Sequence, residues 1–318
     1  MPNASQRTEA STKHLARLIT TEMRDYEKTV TTIRIVDLCS GTGCIPLLLL
    51  SLLSEALPDM QLEVTGVDIS PTAVALAKRN YTRNLSKYPN TSRHSVSFVH
   101  DDLFRWRGHP HWEEEDDYDA SIYTVVTCNP PYMTSFAFQQ QTERLAKKYA
   151  PDLALGCLSQ EETAQLEFSF PPPYDEIALG RKWWDEDNKF PVEYIDHSDF
   201  LETDFYHGAA WTATILGARM MMLEVGGTQQ AVRVANMPYD GHQFEGRWDN
   251  IEVWGEEPDA PEGVVVGTTE DEAKRSRDRL WRLHFCDDGR MLHYPFPLRG
   301  AGVGTSVLFS DRNLRWRQ

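Results

Sequence analysis

Long apolar runs are missing from this chain. The longest, Ile45-Pro46-Leu47-Leu48-Leu49-Leu50, is interrupted by Ser51 and Ser54 and soon meets Glu55. It is too short for a membrane span and suits a buried helix. Positive charge is scarce too: 32 Lys and Arg stand against 48 Asp and Glu, a net charge of -16. That balance weighs against a nucleic-acid partner, whose phosphates it repels, while leaving room for a local basic groove. The five cysteines, Cys39, Cys44, Cys128, Cys157 and Cys286, form no CxxC pair and no metal-ligand spacing. No metal is expected, and the scattered set fits reduced thiols inside a cell. Residues 1–28 hold no apolar signal core, and Glu9, Glu22, Asp25 and Glu27 make a poor transit peptide.

What is present is the composition of a soluble globular protein, 41% hydrophobic and 25% charged. Its 318 residues suffice for one large α/β domain or a core with an appendage. Helical spacing over 12–30 sets Leu15, Leu18, Ile19 and Met23 on one face. Buried strands follow at 33–38, 62–68, 96–99 and 122–128, with a helix over 45–53 after the first and another after Ser70-Pro71, an N-cap with proline at the first helical position. Residues 211–222 read as helix then strand, ending Met222-Leu223-Glu224-Val225-Gly226, and 229–234 open another helix. Alternating strands and helices imply a parallel sheet that binds ligands at the strands' C-terminal ends.

Residues 1–30 are expected to be an N-terminal helical segment and 31–318 the main domain, with insertions at about 157–197 and 255–300. The acidic run Glu113-Glu114-Glu115-Asp116-Asp117 reads as a solvated loop. Trp183 and Trp184 read as a small satellite core, and Met220-Met221-Met222 as strand core. His94, His100, His109 and His111 fall in loop and strand-end positions without metal spacing. No repeat is visible.

Chemistry concentrates in two places. In Asp37-Leu38-Cys39-Ser40-Gly41-Thr42-Gly43, Gly41 and Gly43 suit a tight strand-to-helix turn and the close approach of a ligand. The freed amides at the helix start suit an anion. Asp68, at the end of the next strand, is placed to accept both hydrogen bonds of a ribose diol. Asp102, after the third strand, is placed for an adenine amine, with Asp101 a solvated neighbour. Gly43 is followed by Cys44-Ile45 and not Lys-Ser, so an adenosyl sulfonium fits better than a triphosphate.

The second place is Asn129-Pro130-Pro131-Tyr132, closing the fourth strand. An amide or aromatic amine is a poor nucleophile while its lone pair is delocalised. A site that accepts both N–H hydrogens favours a pyramidal nitrogen and aims the lone pair at a methyl donor. Asn129 offers a side-chain oxygen, Pro130 a carbonyl held by its fixed φ, Pro131 stiffness, and Tyr132 a flat face for stacking. The rate then comes from positioning and desolvation, since the proton can leave after transfer.

Together these features resemble the HemK (PrmC) family of release-factor glutamine methyltransferases, over 33–234, 251–254 and 300–309. Five matches carry the resemblance: the loop from Asp37 to Gly43, Asp68, Asp102-Leu103-Phe104, Asn129-Pro130-Pro131-Tyr132, and Leu223-Glu224-Val225-Gly226 with Gln229. The segment Tyr149-Ala150-Pro151-Asp152-Leu153-Ala154-Leu155 adds to them, with Ala150 where the family has Glu. Asp-Leu-Cys at 37–39 is similar to fungal mitochondrial members.

The resemblance implies a Rossmann-like class I S-adenosylmethionine-dependent fold, with a seven-stranded, mostly parallel sheet and a C-terminal antiparallel hairpin. It implies that Asn129 and Pro130 hold the glutamine amide of a Gly-Gly-Gln motif, with Pro131 and Tyr132 flanking it. Asp37, Gly41 and Gly43 would surround the methionine part of S-adenosyl-L-methionine, with Asp68 on the ribose and Asp102 near adenine, and Cys39, Ile69 and Leu103 would also bind the cofactor. Asn129 would also border the cofactor. The partner implied is a peptide-chain release factor, and the compartment the mitochondrion, with the cytoplasm as alternative.

Two departures stand out. The family's N-terminal helical docking domain is largely missing, and Gln6-Arg7-Thr8-Glu9-Ala10 only partly matches its Pro-Arg-x-Glu-Thr-Glu segment. Rival functions are adenine N6 methylation of RNA or DNA and a non-catalytic cofactor-binding subunit. Glu224 matches a family acid whose role, touching substrate or ordering the pocket, stays open.

Overall fold

The structure, a computed structural model, describes residues 4–25, 29–89, 91–106, 108, 120–131, 204–227, 230–231, 234–235, 237, 248, 250–254, 298–299 and 306–310. Its strands are β1 (Thr32–Leu38), β2 (Gln61–Asp68), β3 (His94–His100), β4 (Ile122–Cys128), β5 (Met220–Glu224), β6 (Asn250–Trp254), β7 (Leu298–Arg299) and β8 (Ser306–Ser310). The helices are α1 (Ala4–Asp25), α2 (Cys44–Ala56), α3 (Pro71–Asn84) and α4 (Asp204–Ile215).

All eight strands join one sheet in the order β3-β2-β1-β4-β5-β8-β6-β7. β3 through β5 run parallel, and β8 lies antiparallel between β5 and β6. The result is the expected fold class: a mostly parallel α/β sheet closed by an antiparallel C-terminal pair. The eighth strand, β7, is a two-residue parallel partner of β6, in a stretch read from sequence as an insertion. Within the inserted regions 157–197 and 255–300, only these two residues are described.

The period-two pattern of the strands sorts the core into two layers. Ile33, Ile35, Tyr123, Val125, Met220 and Met222 pack with Leu15, Ile19, Leu49, Leu50, Leu53 and Ala77. Their alternates Val36, Leu38, Val126, Cys128, Met221 and Leu223 pack with Tyr206, Ala209, Ala210 and Ala213 of α4 on the other face. Helices on both faces explain why β1, β4 and β5 read as nearly continuous apolar runs.

The first helix departs from its expected bounds: α1 starts at Ala4 and ends at Asp25, where the spacing predicts 12–30. Its early turns are supported locally by Thr12, whose hydroxyl donates to the Thr8 carbonyl at 2.6 Å. Tertiary contacts then fasten it along its length. Tyr123 Oη donates to Glu22 Oε2 at 2.7 Å, and His14 meets Trp254 edge-on at 4.6 Å. Among the described residues no helix is long and apolar enough to cross a membrane.

Packing, and not backbone conformation, requires glycine at position 66. A Cβ on Gly66 in β2 would lie 2.6 Å from the Phe98 ring and 2.9 Å from Ser40 Oγ. Gly66→Ala is therefore expected to destabilise the fold by about 1–3 kcal/mol, the usual cost of overpacking. Urea denaturation checks this, and an unchanged midpoint would show that Phe98 yields freely.

Candidate functional site

The strand order changes direction between β1 and β4. The chain leaves β1 toward β2 on one side, whereas β4 opens the run on the other, and such a switch point leaves a crevice at the strands' C-terminal ends. Leu38 is paired in register with Cys128, so the next residue of each strand, Cys39 and Asn129, emerges at the same level. The two motifs found separately in the sequence thus line one crevice.

Three residues in five adopt left-handed backbone in the β1–α2 turn: Cys39 (φ 57°), Gly41 (φ 54°) and Gly43 (φ 81°). Glycine takes this geometry freely, whereas a Cβ at Cys39 costs on the order of 1 kcal/mol. A Cβ on Gly41 would meet nothing within 4 Å, so the space beside it is open to a ligand. Gly43, the N-cap of α2, packs instead: its Cβ would sit 3.1 Å from Phe98 and 3.2 Å from Ala77.

Asp68 fastens this turn. Its Oδ2 accepts Gly41 N–H at 2.7 Å and its Oδ1 accepts Ser70 N–H at 2.8 Å. Ser70 in turn caps α3, its Oγ accepting Ala73 N–H at 3.3 Å. Asp68 is half-buried, and a carboxylate oxygen has two acceptor directions, so each keeps capacity for a ligand hydroxyl. Ile69 beside it is 42% exposed, an apolar plate at the crevice rim. Asn80 Nδ2 donates to Thr42 O at 3.0 Å and secures the turn from α3.

Asp37 lies deeper. Thr127 Oγ1 donates to its Oδ1 at 2.6 Å, while Oδ2 and the hydroxyl of neighbouring Ser40 are buried with no hydrogen-bond partner. Burial, only partly countered by the Thr127 hydrogen bond and reinforced by Asp68 and Glu224, pushes the Asp37 carboxyl up to about 8. Glu224, at the end of β5, is raised by burial to about 7, held back by Ser306, Ser11 and Arg7. An orphaned carboxyl oxygen and an orphaned hydroxyl under a glycine turn fit the ammonium end of an amino-acid ligand, which would satisfy both.

These shifts give stability a definite pH dependence. The unfolded chain ionises Asp37 near 3.8 and the native state near 8, so in between the native state holds an extra proton. Stability therefore falls as pH rises through that window, by up to about 1.4 kcal/mol per unit. Glu224 adds its own loss up to about 7, leaving the interval from about 7 to 8 to Asp37. Denaturation midpoints of the ligand-free protein should drop across that interval. Asp37→Asn should flatten the drop, and a wild-type profile flat from 7 to 8 would contradict the assignment.

On the other side of the crevice, Asn129 and Pro131 are half-buried and Pro130 is buried. Cys128, just before them, is fully buried; burial and its hydrogen bond with Cys39 push its thiol well up, which removes it as a nucleophile. Asp102 Oδ1 accepts Phe104 N–H at 3.0 Å, and Asp101 Oδ1 accepts Asp102 N–H at 2.8 Å, so both acids shape the turn after β3. Leu103 is buried. His94 and His100 face backbone oxygens of Pro89 and Ile69. Tyr132, Gln229, the segment 149–155 and Trp183-Trp184 lie outside the described residues.

Sequence reasoning passed over Ser40, Gly66, Thr127, Ser11 and Ser306. Thr127 carried one usable signal: it stands two residues before Asn129, hence on the same side of β4, level with Asp37.

No family model matches the chain. Over 125 residues it is 30% identical to a probable MRF1 mitochondrial N(5)-glutamine methyltransferase of Schizosaccharomyces pombe, spanning 39% of this chain and 35% of that protein. It is 28% identical over 133 residues to the ribosomal protein uL3 glutamine methyltransferase of Xanthomonas campestris, covering 42% and 34% of the two chains. A release factor glutamine methyltransferase of Thermodesulfovibrio yellowstonii is 30% identical over 122 residues, covering 38% and 35%. The chain thus spans about a third of the length of these curated relatives. Among solved structures, a putative class I S-adenosylmethionine-dependent methyltransferase from Listeria monocytogenes aligns over 95% of this chain and 61% of that one, at 12% identity and a TM-score of 0.40. The resemblance to glutamine methyltransferases drawn from the motifs recurs in these relatives.

Proposed function

We propose that this chain is an S-adenosylmethionine-dependent enzyme that methylates the side-chain amide nitrogen of a protein glutamine, in the Gly-Gly-Gln motif of a peptide-chain release factor. One observation carries the reading: Asn129-Pro130 emerges from β4 at the level of Cys39 and the glycine turn, across the switch point of the sheet. A methyl acceptor held by the first lies next to a cofactor held by the second. Support for the substrate class comes from the relatives named for glutamine methylation.

When bound, the cofactor supplies an electrophilic methyl group. The remaining work falls to the chain. Asp68, which keeps Gly41 and Ser70 in place, would hold the ribose hydroxyls, and exposed Ile69 would offer the cofactor an apolar face. Asp102 and Leu103, in the turn after β3, would border the base. Asp37 and Ser40 would receive the ammonium, which would satisfy their orphaned atoms. Asn129 Oδ1 and the Pro130 carbonyl accept the two N–H hydrogens of the glutamine amide, so its nitrogen lone pair points at the methyl carbon. Tyr132, outside the described residues, would supply a flat face for the amide. The mitochondrion is the compartment this reading favours, from the fungal relative.

A second reading, a glutamine of ribosomal protein uL3, draws on the bacterial relative named for that substrate. The deciding experiment incubates the protein with radiolabelled S-adenosylmethionine and a release factor, its Gln-to-Ala variant in the tripeptide, uL3, or RNA. Label on the release factor that vanishes with the variant supports the proposal. Label on uL3 alone selects the second reading, and label on RNA alone overturns both.

A further inference from the structure

We infer that Glu224 is a positioning residue for the Asn129 clamp, and that the hydrogen-bonded chain Ser11–Ser306–Glu224 makes α1 part of that machinery. The inference rests on the proposed reading of Asn129-Pro130 as the amide clamp.

β4 and β5 are parallel, with Val125 paired to Met220, Val126 to Met221, Thr127 to Met222 and Cys128 to Leu223. The next residue of each strand is Asn129 and Glu224, so they stand side by side where the strands leave the sheet. Met220, Met221, Met222 and Leu223 are all fully buried and apolar. Then, at the level of the clamp, the sequence places a carboxyl that is only 4% exposed. A methionine there would bury more cheaply, because a buried carboxyl forfeits its hydration.

That carboxyl is fastened from several directions. Ser306 Oγ in β8 donates to Glu224 Oε1 at 3.2 Å. Ser306 Oγ also lies 2.7 Å from Ser11 Oγ in α1, and both serines are fully buried. The Arg7 guanidinium of α1 favours the ionised form of Glu224. Tyr206 Oη of α4 donates to the Glu224 carbonyl at 3.0 Å, and Gln230 Oε1 accepts Gly226 N–H at 2.6 Å just beyond. Side chain and backbone of one residue are thus held by α1, α4 and β8 together. Asp37 is level with Thr127, and Thr127 with Met222, two residues before Glu224, so both acids lie on one face near the crevice end of β4.

Such fastening fixes how far β5 extends before it turns, and so fixes the level and tilt at which Asn129 meets an amide. A clamp that aims a lone pair needs that accuracy: a misplacement of about 1 Å can cost about a hundredfold in rate. Glu224 need not touch substrate for this.

The test compares Glu224→Ala, Glu224→Gln and Ser11→Ala with the wild type, each as the full chain. Two readouts are taken: kcat, KM and cofactor Kd in the methyl-transfer assay, and the Asn129 side-chain amide signal in 15N-labelled protein, assigned by its loss in Asn129→Ala. Expected for Glu224→Ala are a fall in kcat of about 10- to 100-fold, unchanged cofactor Kd, and a displaced or broadened Asn129 signal. Ser11→Ala should shift the same signal in the same direction with a smaller loss. Glu224→Gln, which keeps an acceptor for Ser306, should recover most of both. An undisturbed Asn129 signal in folded Glu224→Ala overturns the inference, as does a loss confined to thermal stability or to cofactor Kd. Should the wild type transfer no methyl group to any glutamine, the reading of the clamp fails, while the Asn129 signal still decides whether Glu224 positions that residue.

Discussion

Asn129→Ala should lower kcat by about 10²- to 10³-fold, the usual effect of removing one preorganised polar contact to reacting atoms, while leaving cofactor affinity within about a factor of three. The split follows from position. Asn129 is half-buried at the end of β4, whereas Asp68 and Ile69, which the proposed function assigns to the cofactor, lie at the end of β2 beyond β1. In the proposed function its side-chain oxygen meets one N–H of the acceptor amide, and alanine supplies no substitute. An aspartate at this position keeps an acceptor but adds charge beside buried Asp37 and Glu224, so Asn129→Asp should restore little. Single-turnover transfer and equilibrium cofactor binding, measured on one preparation, separate the two quantities. A fall in cofactor affinity as large as the fall in rate would move Asn129 from the acceptor side to the cofactor side.

Asp68→Ala should do the reverse. Losing hydrogen bonds to a charged group weakens cofactor binding by about 1.5–3 kcal/mol, or about 10- to 150-fold in Kd. A second effect adds to this: Gly41 N–H and Ser70 N–H lose their shared acceptor, so the glycine turn and the start of α3 loosen together. Thermal stability should fall even without ligand. Asp68→Asn keeps one oxygen acceptor and should lie between wild type and alanine on both measures. Calorimetric titration alongside thermal unfolding gives both numbers. Full affinity in Asp68→Ala would remove this carboxylate from the ribose.

Much of this site is legible in the sequence because its elements are local. β4 ends at Cys128 as its apolar run implies, and Ser70-Pro71 starts α3 where cap chemistry requires. Gly41 and Gly43 sit in left-handed backbone as a tight strand-to-helix turn demands. The illegible parts are relations between distant residues. Thr127 and Asp37 share a hydrogen bond because two strands align in register, and neither residue advertises the other. Ser11 and Ser306, 295 positions apart, look like ordinary serines until the sheet brings them together. Gly66 gives no turn signal, since the Phe98 ring that excludes a Cβ comes from the neighbouring strand. Helix α1 starts earlier than expected because the apolar spacing that marks it, from Leu15 to Met23, says nothing of the polar turns before Ser11, which Ser306 meets from the far end of the chain.

The place of β8 has a consequence for biosynthesis. It is the last of the described strands to leave the ribosome, yet it lies inside the sheet, with β5 on one side and β6 on the other. Until it arrives, both neighbours present unpaired edges, and the buried row Met220, Met221, Met222 and Leu223 has no cover along one side. A nascent chain in that condition is a natural client for chaperones and prone to pairing with other unfinished copies. Ser306, which opens β8, reaches the Glu224 carboxyl only when the sheet closes.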